Sequence, residues 1–168
     1  MTDNLEAYLD IETTGLSSYC RITVVGIYLA NGAEDRFVQF VGDGIRAEKV
    51  LDCLDGVTTV YTYNGTGFDL RLIKQHLGVD LARQFPHRDL MFDCWRQDLR
   101  GGLKAVERQL GVTRRLKDVN GYQAVLLWYR YQRHGDYNAL AKLLAYNKED
   151  VLNLKVVKEK LMGCSCRD

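Results

Sequence analysis

Apolar and polar residues alternate over Leu5–Glu12, which is the period of a strand whose two faces meet different surroundings. Two further segments, Arg21–Leu29 and Arg36–Val41, are rich in β-branched and aromatic residues and predict a second and a third strand. Asn31 and Gly32 stand between them and form a typical hairpin signal. The chain therefore opens with a predicted antiparallel meander of three strands.

After this meander the apolar period lengthens to that of helices, and short apolar runs alternate with the helical segments. The predicted helices are Arg46–Leu54, Phe68–Leu77, Leu103–Leu110, Tyr122–Arg133 and Tyr137–Leu161. The predicted short strands are Val57–Tyr61 and Asp89–Phe92. A meander followed by alternating helices and strands predicts an α/β fold, in which helices pack against a mixed sheet.

Length and composition fit one globular domain. The chain has 168 residues, of which 46% are hydrophobic and 27% are charged. We therefore expect a single domain over residues 1–168, with residues 162–168 as a flexible tail. No apolar run reaches the ~20 residues of a membrane span, and the first residues lack the pattern of a secretory signal. Together with five scattered cysteines, an odd number, this predicts a cytoplasmic protein with reduced thiols.

The first candidate for chemistry is the pair Asp10 and Glu12 at the end of the first predicted strand. Residues two apart in a strand share a face, at about 6.5–7 Å along the chain. Two carboxylates held this close repel each other, so a divalent cation such as Mg²⁺ or Mn²⁺ would stabilise them. A polar strand end in solvent would also explain the pair, and the pair alone does not decide between these interpretations.

Two more carboxylates lie on predicted helix faces that should be apolar. Asp69 falls in the first turn of its helix, where the helix dipole favours an acid, yet it shares the face of Leu72 and Ile73 that should pack on the sheet. Asp150 follows Tyr146 by one helical turn and lies in an apolar stripe. A buried carboxylate is costly unless it binds a metal or pairs with a cation, and a salt bridge to Arg or Lys stays open as the alternative for Asp150.

These four carboxylates come from distant parts of the chain. If they converge, they form an acidic cage that can hold two divalent ions. Two such ions about 3.5–4 Å apart stabilise the attacking and the leaving oxygen of an in-line phosphoryl displacement. Tyr146 would then orient the attacking water rather than deprotonate it, because a free tyrosine has a pKa near 10.

Three segments around these residues resemble the motifs of the DEDDy-type 3′–5′ exonucleases of the ribonuclease H-like superfamily. The segments are Leu9–Leu16, Tyr63–Asp69 and Tyr146–Asp150, in the order of the family. Gly102–Gly111 and the pair Gly121-Tyr122 are similar to the YprB-type predicted exonuclease domain of bacteria and archaea. The resemblance covers nearly the whole chain and implies a mixed five-stranded sheet, with three antiparallel strands first, flanked by helices.

The same resemblance implies roles for individual residues. The implied metal ligands for two Mg²⁺ or Mn²⁺ ions are Asp10, Glu12, Asp69 and Asp150, and the implied water-orienting residue is Tyr146. The residues implied to contact substrate are Thr13, Thr14, Gly15, Leu16, Asn64 and Phe68. The implied activity is hydrolysis of phosphodiester bonds at the 3′ end of a nucleic acid, and the expected partner is a single-stranded end.

Charge bears on how a nucleic acid could bind. Twenty-three basic and 22 acidic residues leave a net charge of +1, so such a contact must come from a local patch. Arg108, Arg114, Arg115 and Lys117 form a basic cluster that could hold phosphates or be a solvated loop. Two other functions stay open on the same fold: a non-catalytic nucleic-acid-binding or scaffold module, and an endonuclease on structured nucleic acid.

Overall fold

A mixed five-stranded sheet forms the centre of the computed structural model, which describes residues 4–17 and 19–164. The strands are β1 Glu6–Thr13, β2 Ile22–Ala30, β3 Arg36–Val41, β4 Thr59–Thr62 and β5 His87–Asp89, in the spatial order β3-β2-β1-β4-β5. β2 is antiparallel to both β1 and β3, whereas β4 is parallel to both β1 and β5. The predicted meander and the predicted α/β class are therefore confirmed.

Helices cover both faces of this sheet. Within the described residues they are α1 Ala47–Cys53, α2 Asp69–Leu77, α3 Leu81–Gln84, α4 Leu90–Arg96, α5 Leu103–Gln109, α6 Gly121–His134 and α7 Tyr137–Cys164. Leu9 of β1 belongs to a core cluster with residues of α1, α2 and α3, and its neighbour Tyr8 belongs to a second cluster with residues of α4, α5 and α7. Both side chains are fully buried. The central strand is thus buried on both sides over most of its length, whereas Asp10 near its end is partly exposed.

One predicted strand is largely a helix. Residues 89–92 were predicted to be a strand, but β5 ends at Asp89 and α4 begins at Leu90. The side chain of Asp89 accepts a hydrogen bond from the backbone N–H of Met91 at 3.2 Å and so caps the first turn of α4. This cap explains why the chain turns into a helix directly after so short a strand.

The last helix is longer than its apolar pattern predicted. α7 continues to Cys164, so residues 162–164 of the predicted flexible tail are helical. Residues 165–168 of that tail lie outside the described residues. Within the part of the chain that the structure describes, none of the helices combines the length and the apolar character that crossing a membrane requires.

Strand β2 lies close to α7 at Gly26, which pairs with Asp10 across the sheet. A Cβ atom at Gly26 would lie 2.2 Å from Oδ1 of Asn147 and 3.0 Å from a methyl carbon of Val151, both on α7. Asn147 and Val151 are fully buried and have no room to move away. The missing side chain at Gly26 therefore lets α7 lie directly against the middle of the sheet.

Replacing Gly26 by alanine is expected to lower the free energy of unfolding by about 1–3 kcal/mol, because the added methyl group overpacks the contact with Asn147. Urea unfolding followed by circular dichroism measures the change. Gly44→Ala is the matched control: a Cβ at Gly44 meets nothing within 4 Å, so the change should stay within about 0.5 kcal/mol. Equal stability of the two variants would contradict the close approach of α7.

Candidate active site

Strands β1 and β4 separate at their carboxyl ends. They pair only from Glu6 to Tyr8 of β1. Further along β1, the backbone N–H of Ile11 donates to Oδ1 of Asp69 at 3.1 Å instead of to a strand. The register of β1 against β2 then shifts directly after Glu12. Ligands bind in open α/β sheets at the carboxyl ends of strands that part in this way, so the geometry points to the end of β1.

The carboxylates of Asp10, Glu12 and Asp150 meet at this end of the sheet. Each offers one oxygen, and the three oxygens lie within 4.8 Å of one another. Asp10 and Glu12 share a face of β1, and α7 packs on β1 and brings Asp150 to them. Glu12 and Asp150 are buried, whereas Asp10 is partly exposed and leaves the group open to solvent. The structure thus joins residues from opposite ends of the chain into one acidic group.

Asp69 lies beside this group rather than within it. It is buried at the start of α2, where its side chain accepts the hydrogen bond from Ile11. Burial is the main cause that raises the pKa of Asp69 to about 7, and the negative charge of Asp150 adds to it. Asp69 also lines a cleft together with Asp10. A role as a further metal ligand therefore stays a prediction for Asp69.

Burial and mutual repulsion raise the pKa values of the grouped acids. The pKa of Asp10 lies well above its usual range, first because of desolvation and then because of the charges of Asp69 and Asp150. The pKa of Glu12 is raised well above its usual range by the same three effects. Desolvation also raises the pKa of Asp150, to about 6. A divalent cation would relieve this repulsion, and an all-oxygen donor set suits Mg²⁺ or Mn²⁺.

Asp150 also has a cationic partner inside the protein. Nη2 of Arg114 donates to Oδ1 of Asp150, while Nη1 donates to both carboxylate oxygens of Glu107 at 2.8 and 2.7 Å. Glu107 is fully buried and accepts a further hydrogen bond from Asn153 at 3.0 Å. The salt bridge that the sequence left open for Asp150 is therefore present. Asp150 belongs both to the acidic group and to this buried ion-pair network.

The predicted basic cluster is divided between two cavities. Arg108, Arg114 and Lys117 line a cavity of about 460 Å³ together with Lys104, whereas Arg115 lines a different cavity. Arg114 is buried and its guanidinium is paired with Glu107. The choice between a phosphate contact and a solvated surface therefore concerns mainly Arg108, Arg115 and Lys117.

Tyr146 lines a small cleft of about 160 Å³ together with the three grouped carboxylates. Nζ of Lys104 lies 4.6 Å from the centre of its ring, and Cζ of Arg114 lies 5.7 Å from it. Burial, followed by the negative charges of Asp150 and Glu12, raises the pKa of Tyr146 far above its usual range. A hydroxyl that keeps its proton can orient a water molecule but cannot act as a base at neutral pH. The surroundings of Tyr146 thus favour orientation.

Asn147 holds Asp10 in place, and sequence reasoning missed it. Its Nδ2 donates to the backbone oxygen of Asp10 at 3.2 Å and to the carboxylate Oδ2 at 3.1 Å. Its Oδ1 accepts a hydrogen bond from Gln39 of β3 at 2.9 Å. The signal in the sequence was a polar side chain four residues after Leu143 and four before Val151, on the buried side of the helix.

Asp89 is a second residue that sequence reasoning missed. Besides capping α4, its carboxylate accepts hydrogen bonds from the backbone N–H groups of Asn64 at 2.7 Å and Thr66 at 3.0 Å. These bonds hold the loop after β4, in which Asn64 has a left-handed backbone with φ of 58°. The loop leads into α2 and therefore sets the position of Asp69.

The turn after β1 holds four of the residues that the resemblance implied for substrate contact. Oγ1 of Thr13 donates to the backbone oxygen of Gly15 at 2.5 Å, and Oγ1 of Thr14 accepts from the backbone N–H of Arg21 at 2.9 Å. Thr13 and Leu16 line the small cleft, and Leu16 is 83% exposed. Thr14 and Gly15 shape the turn, while Leu16 offers an apolar side chain to solvent. Contact with substrate stays a prediction for all four.

Asn64 and Phe68 lie on the other side of Asp10. Both line a larger cleft of about 500 Å³, together with Asp10 and Asp69. Phe68 also lines the small cleft and so borders both spaces. Asp10 and Phe68 therefore stand between two clefts of different size, and the substrate roles predicted for Asn64 and Phe68 concern the larger one.

The order of strands, the helices on both faces and the carboxylates at the end of β1 define a ribonuclease H-like domain with a candidate divalent-metal centre. The family model of the RNase H superfamily matches residues 7–162. The chain therefore belongs to this superfamily, and the predicted fold is confirmed.

Two known proteins show what else this chain is similar to. The uncharacterized protein YprB of Bacillus subtilis (strain 168) is 29% identical over an alignment 163 residues long, and the match covers 88% of this chain and 39% of YprB. The family B DNA polymerase from the hyperthermophilic archaeon Pyrobaculum calidifontis shares the fold, with a TM-score of 0.71, 17% identity and coverage of 94% of this chain and 24% of the polymerase. The chain thus spans less than half of each protein. The predicted resemblance to the YprB-type domain is confirmed.

Proposed function

We propose that this protein is a divalent-metal-dependent nuclease that removes nucleotides from the 3′ end of a single-stranded nucleic acid. The observation that carries the proposal is the group formed by Asp10, Glu12 and Asp150, whose oxygens lie within 4.8 Å of one another. A surface that only binds phosphates has no use for clustered acids, which repel phosphates. Membership in the RNase H superfamily supports nuclease chemistry at this group.

The donor set fits Mg²⁺ or Mn²⁺, with Asp10, Glu12 and Asp150 as the ligands and Asp69 as a candidate ligand for a second ion. When bound, such ions make water a stronger acid and neutralise the charge that develops on the leaving oxygen. Asn147 fixes the carboxylate of Asp10 for this task. The protonated hydroxyl of Tyr146 would orient the attacking water in the same small cleft.

The sizes of the two clefts support different roles for them, one in binding water and ions and the other in binding a nucleotide. The cleft of about 160 Å³ beside Tyr146 is smaller than typical ligand pockets, which measure about 300–1,000 Å³, so it suits water and ions. The cleft of about 500 Å³ beside Asp69 is within that range and suits a nucleotide. The 3′ polarity and the use of two ions rest on the resemblance of the three motifs.

The test is a hydrolysis assay on single-stranded DNA and RNA oligonucleotides, each labelled at its 5′ or its 3′ end. With Mg²⁺ or Mn²⁺ we expect the 5′-labelled strands to shorten stepwise and the 3′-labelled strands to release a labelled mononucleotide. With EDTA we expect no product, because the acidic group then lacks its cations.

Three other outcomes would contradict the proposal. Binding without hydrolysis under every divalent ion would favour a binding or scaffold module. Cleavage of a circular single strand would show an endonuclease, because a circle has no end. Release of the 5′ label as a mononucleotide before the strand has shortened would reverse the proposed polarity.

A further inference from the structure

The larger cleft is lined in part by aromatic and apolar side chains, which cannot bind a metal ion. The cleft lies between the loop after β4 and the segment formed by α4 and the turn that follows. Its walls include Asp10, Asp69, Tyr63, Phe68, Met91 and Trp95. The two acids join the cleft to the candidate metal centre, while the other four side chains are aromatic or apolar.

Trp95 is the unusual member of this wall. Its side chain is 40% exposed, although burying so large an aromatic ring away from water would stabilise the folded protein. The ring of Phe92 holds it edge-on, with 5.4 Å between the ring centres and 86° between the planes. The hydroxyl of Tyr63 donates to the backbone oxygen of Gly101 at 2.6 Å and so fixes another part of the wall. The indole is therefore held in place with part of its surface open.

A cation stands beside this open ring. The guanidinium carbon of Arg100 lies 5.8 Å from the centre of the Trp95 ring, and the Arg100 side chain is 62% exposed. Its contact with the exposed Asp98, at 3.6 Å, is a surface ion pair of little strength. Arg100 can therefore contact a phosphate while it stays near the indole. An aromatic face with a neighbouring cation is the arrangement by which proteins bind unpaired bases and their backbone.

We propose that this cleft is a stacking subsite for an unpaired base of the nucleic acid, and that Trp95 is its platform. The proposal rests on the proposed function for the identity of the ligand. The bases of a duplex offer no free face, so the subsite selects a single strand or a frayed end. Stacking uses the π-face that every base has, so we expect little preference among base types.

Tryptophan fluorescence tests the proposal, because the chain has only two tryptophans, Trp95 and Trp128. Trp128 is only 8% exposed and packs near Tyr131. In Trp128→Phe, with Ca²⁺ in place of Mg²⁺ so that binding can be observed without turnover, a single-stranded oligonucleotide should quench the emission of Trp95 in a saturable manner. In Trp95→Leu, which retains Trp128, the same oligonucleotide should leave the emission unchanged.

Affinity gives the second measurement, by anisotropy of a labelled oligonucleotide. Trp95→Leu keeps an apolar side chain but removes the π-face, so binding should weaken by about 10- to 100-fold. Trp95→Phe keeps a ring and should lose much less. A blunt-ended duplex of the same sequence should cause much weaker quenching, because only its frayed ends offer unpaired bases. Thermal unfolding of each variant shows whether the fold is intact.

The outcomes separate this proposal from the nuclease proposal. Hydrolysis by the unchanged protein, with no quenching of Trp95 and equal affinity of Trp95→Leu, would overturn the stacking subsite alone. Quenching and weakened binding without hydrolysis under any divalent ion would support the subsite and overturn the nuclease. Quenching by the duplex as strong as by the single strand would overturn the proposed selection for unpaired bases.

Discussion

Asp10→Asn is expected to lower the rate of hydrolysis by about 10³-fold or more, because a metal centre supplies several kcal/mol of transition-state stabilisation. Asp10 belongs to the acidic group, lines both clefts and is fixed by Asn147. An amide has nearly the same shape as the carboxylate but no charge to hold a cation. Asp150→Asn should have a comparable effect on activity for the same reason.

Activity is measured with the end-labelled oligonucleotides, and the melting temperature is measured with and without Mn²⁺. The metal-free melting temperature of Asp10→Asn should not fall, because the substitution removes one of several like charges. The stabilisation by Mn²⁺ should be lost. Asp55→Asn is the matched control, since Asp55 is exposed at the end of α1 and should change neither quantity. Full activity of Asp10→Asn would remove the acidic group from the mechanism.

Arg114→Ala is expected to lower the free energy of unfolding by about 3–5 kcal/mol, which is the usual effect of removing one partner from a buried ion pair. Arg114 donates to Glu107 and Asp150, and both acids are buried. Without the guanidinium, Glu107 loses both hydrogen bonds from Nη1 and keeps the one from Asn153. Urea unfolding in EDTA measures the change without a contribution from bound metal.

The neighbouring residue supplies the control for this prediction. The side chain of Arg115 is exposed, so Arg115→Ala should change stability by no more than about 0.5 kcal/mol. Adding Glu107→Gln to Arg114→Ala should restore part of the lost stability, because a neutral amide needs no counter-charge. Equal effects of Arg114→Ala and Arg115→Ala would show that the buried network contributes nothing.

Local patterns were sufficient to predict most of the fold. The alternation in β1 and the β-branched run in β2 are properties of neighbouring residues, and the structure has both strands within one residue of the predicted bounds. The strand predicted from Asp89 onward was wrong because a side-chain hydrogen bond determines the structure there. Asp89 both ends β5 and caps α4, and the three apolar residues that follow it contain no sign of that hydrogen bond.

The site was predictable only in part, for a related reason. Asp10 and Glu12 share a face by strand geometry, and Asp150 stood out as an acid in an apolar stripe, so the sequence alone indicated all three. A contact between residues that are distant along the chain leaves no pattern in the sequence around either of them. Arg114 was interpreted as a surface residue because nothing near it in the sequence shows that it meets Asp150. The sequence likewise does not show that the ring of Trp95 lies open in a cleft rather than in the core, where most aromatic residues lie.

The acidic group joins β1 to α7, so it forms only when these two elements meet during folding. A refolding chain can form the α6–α7 pair and the β1–β2 hairpin from contacts that are close in sequence. Affinity for a divalent ion can arise only after β1 and α7 have met, and joining segments so distant along the chain has a large entropy cost. A partly folded molecule would thus lack the nuclease activity that we propose.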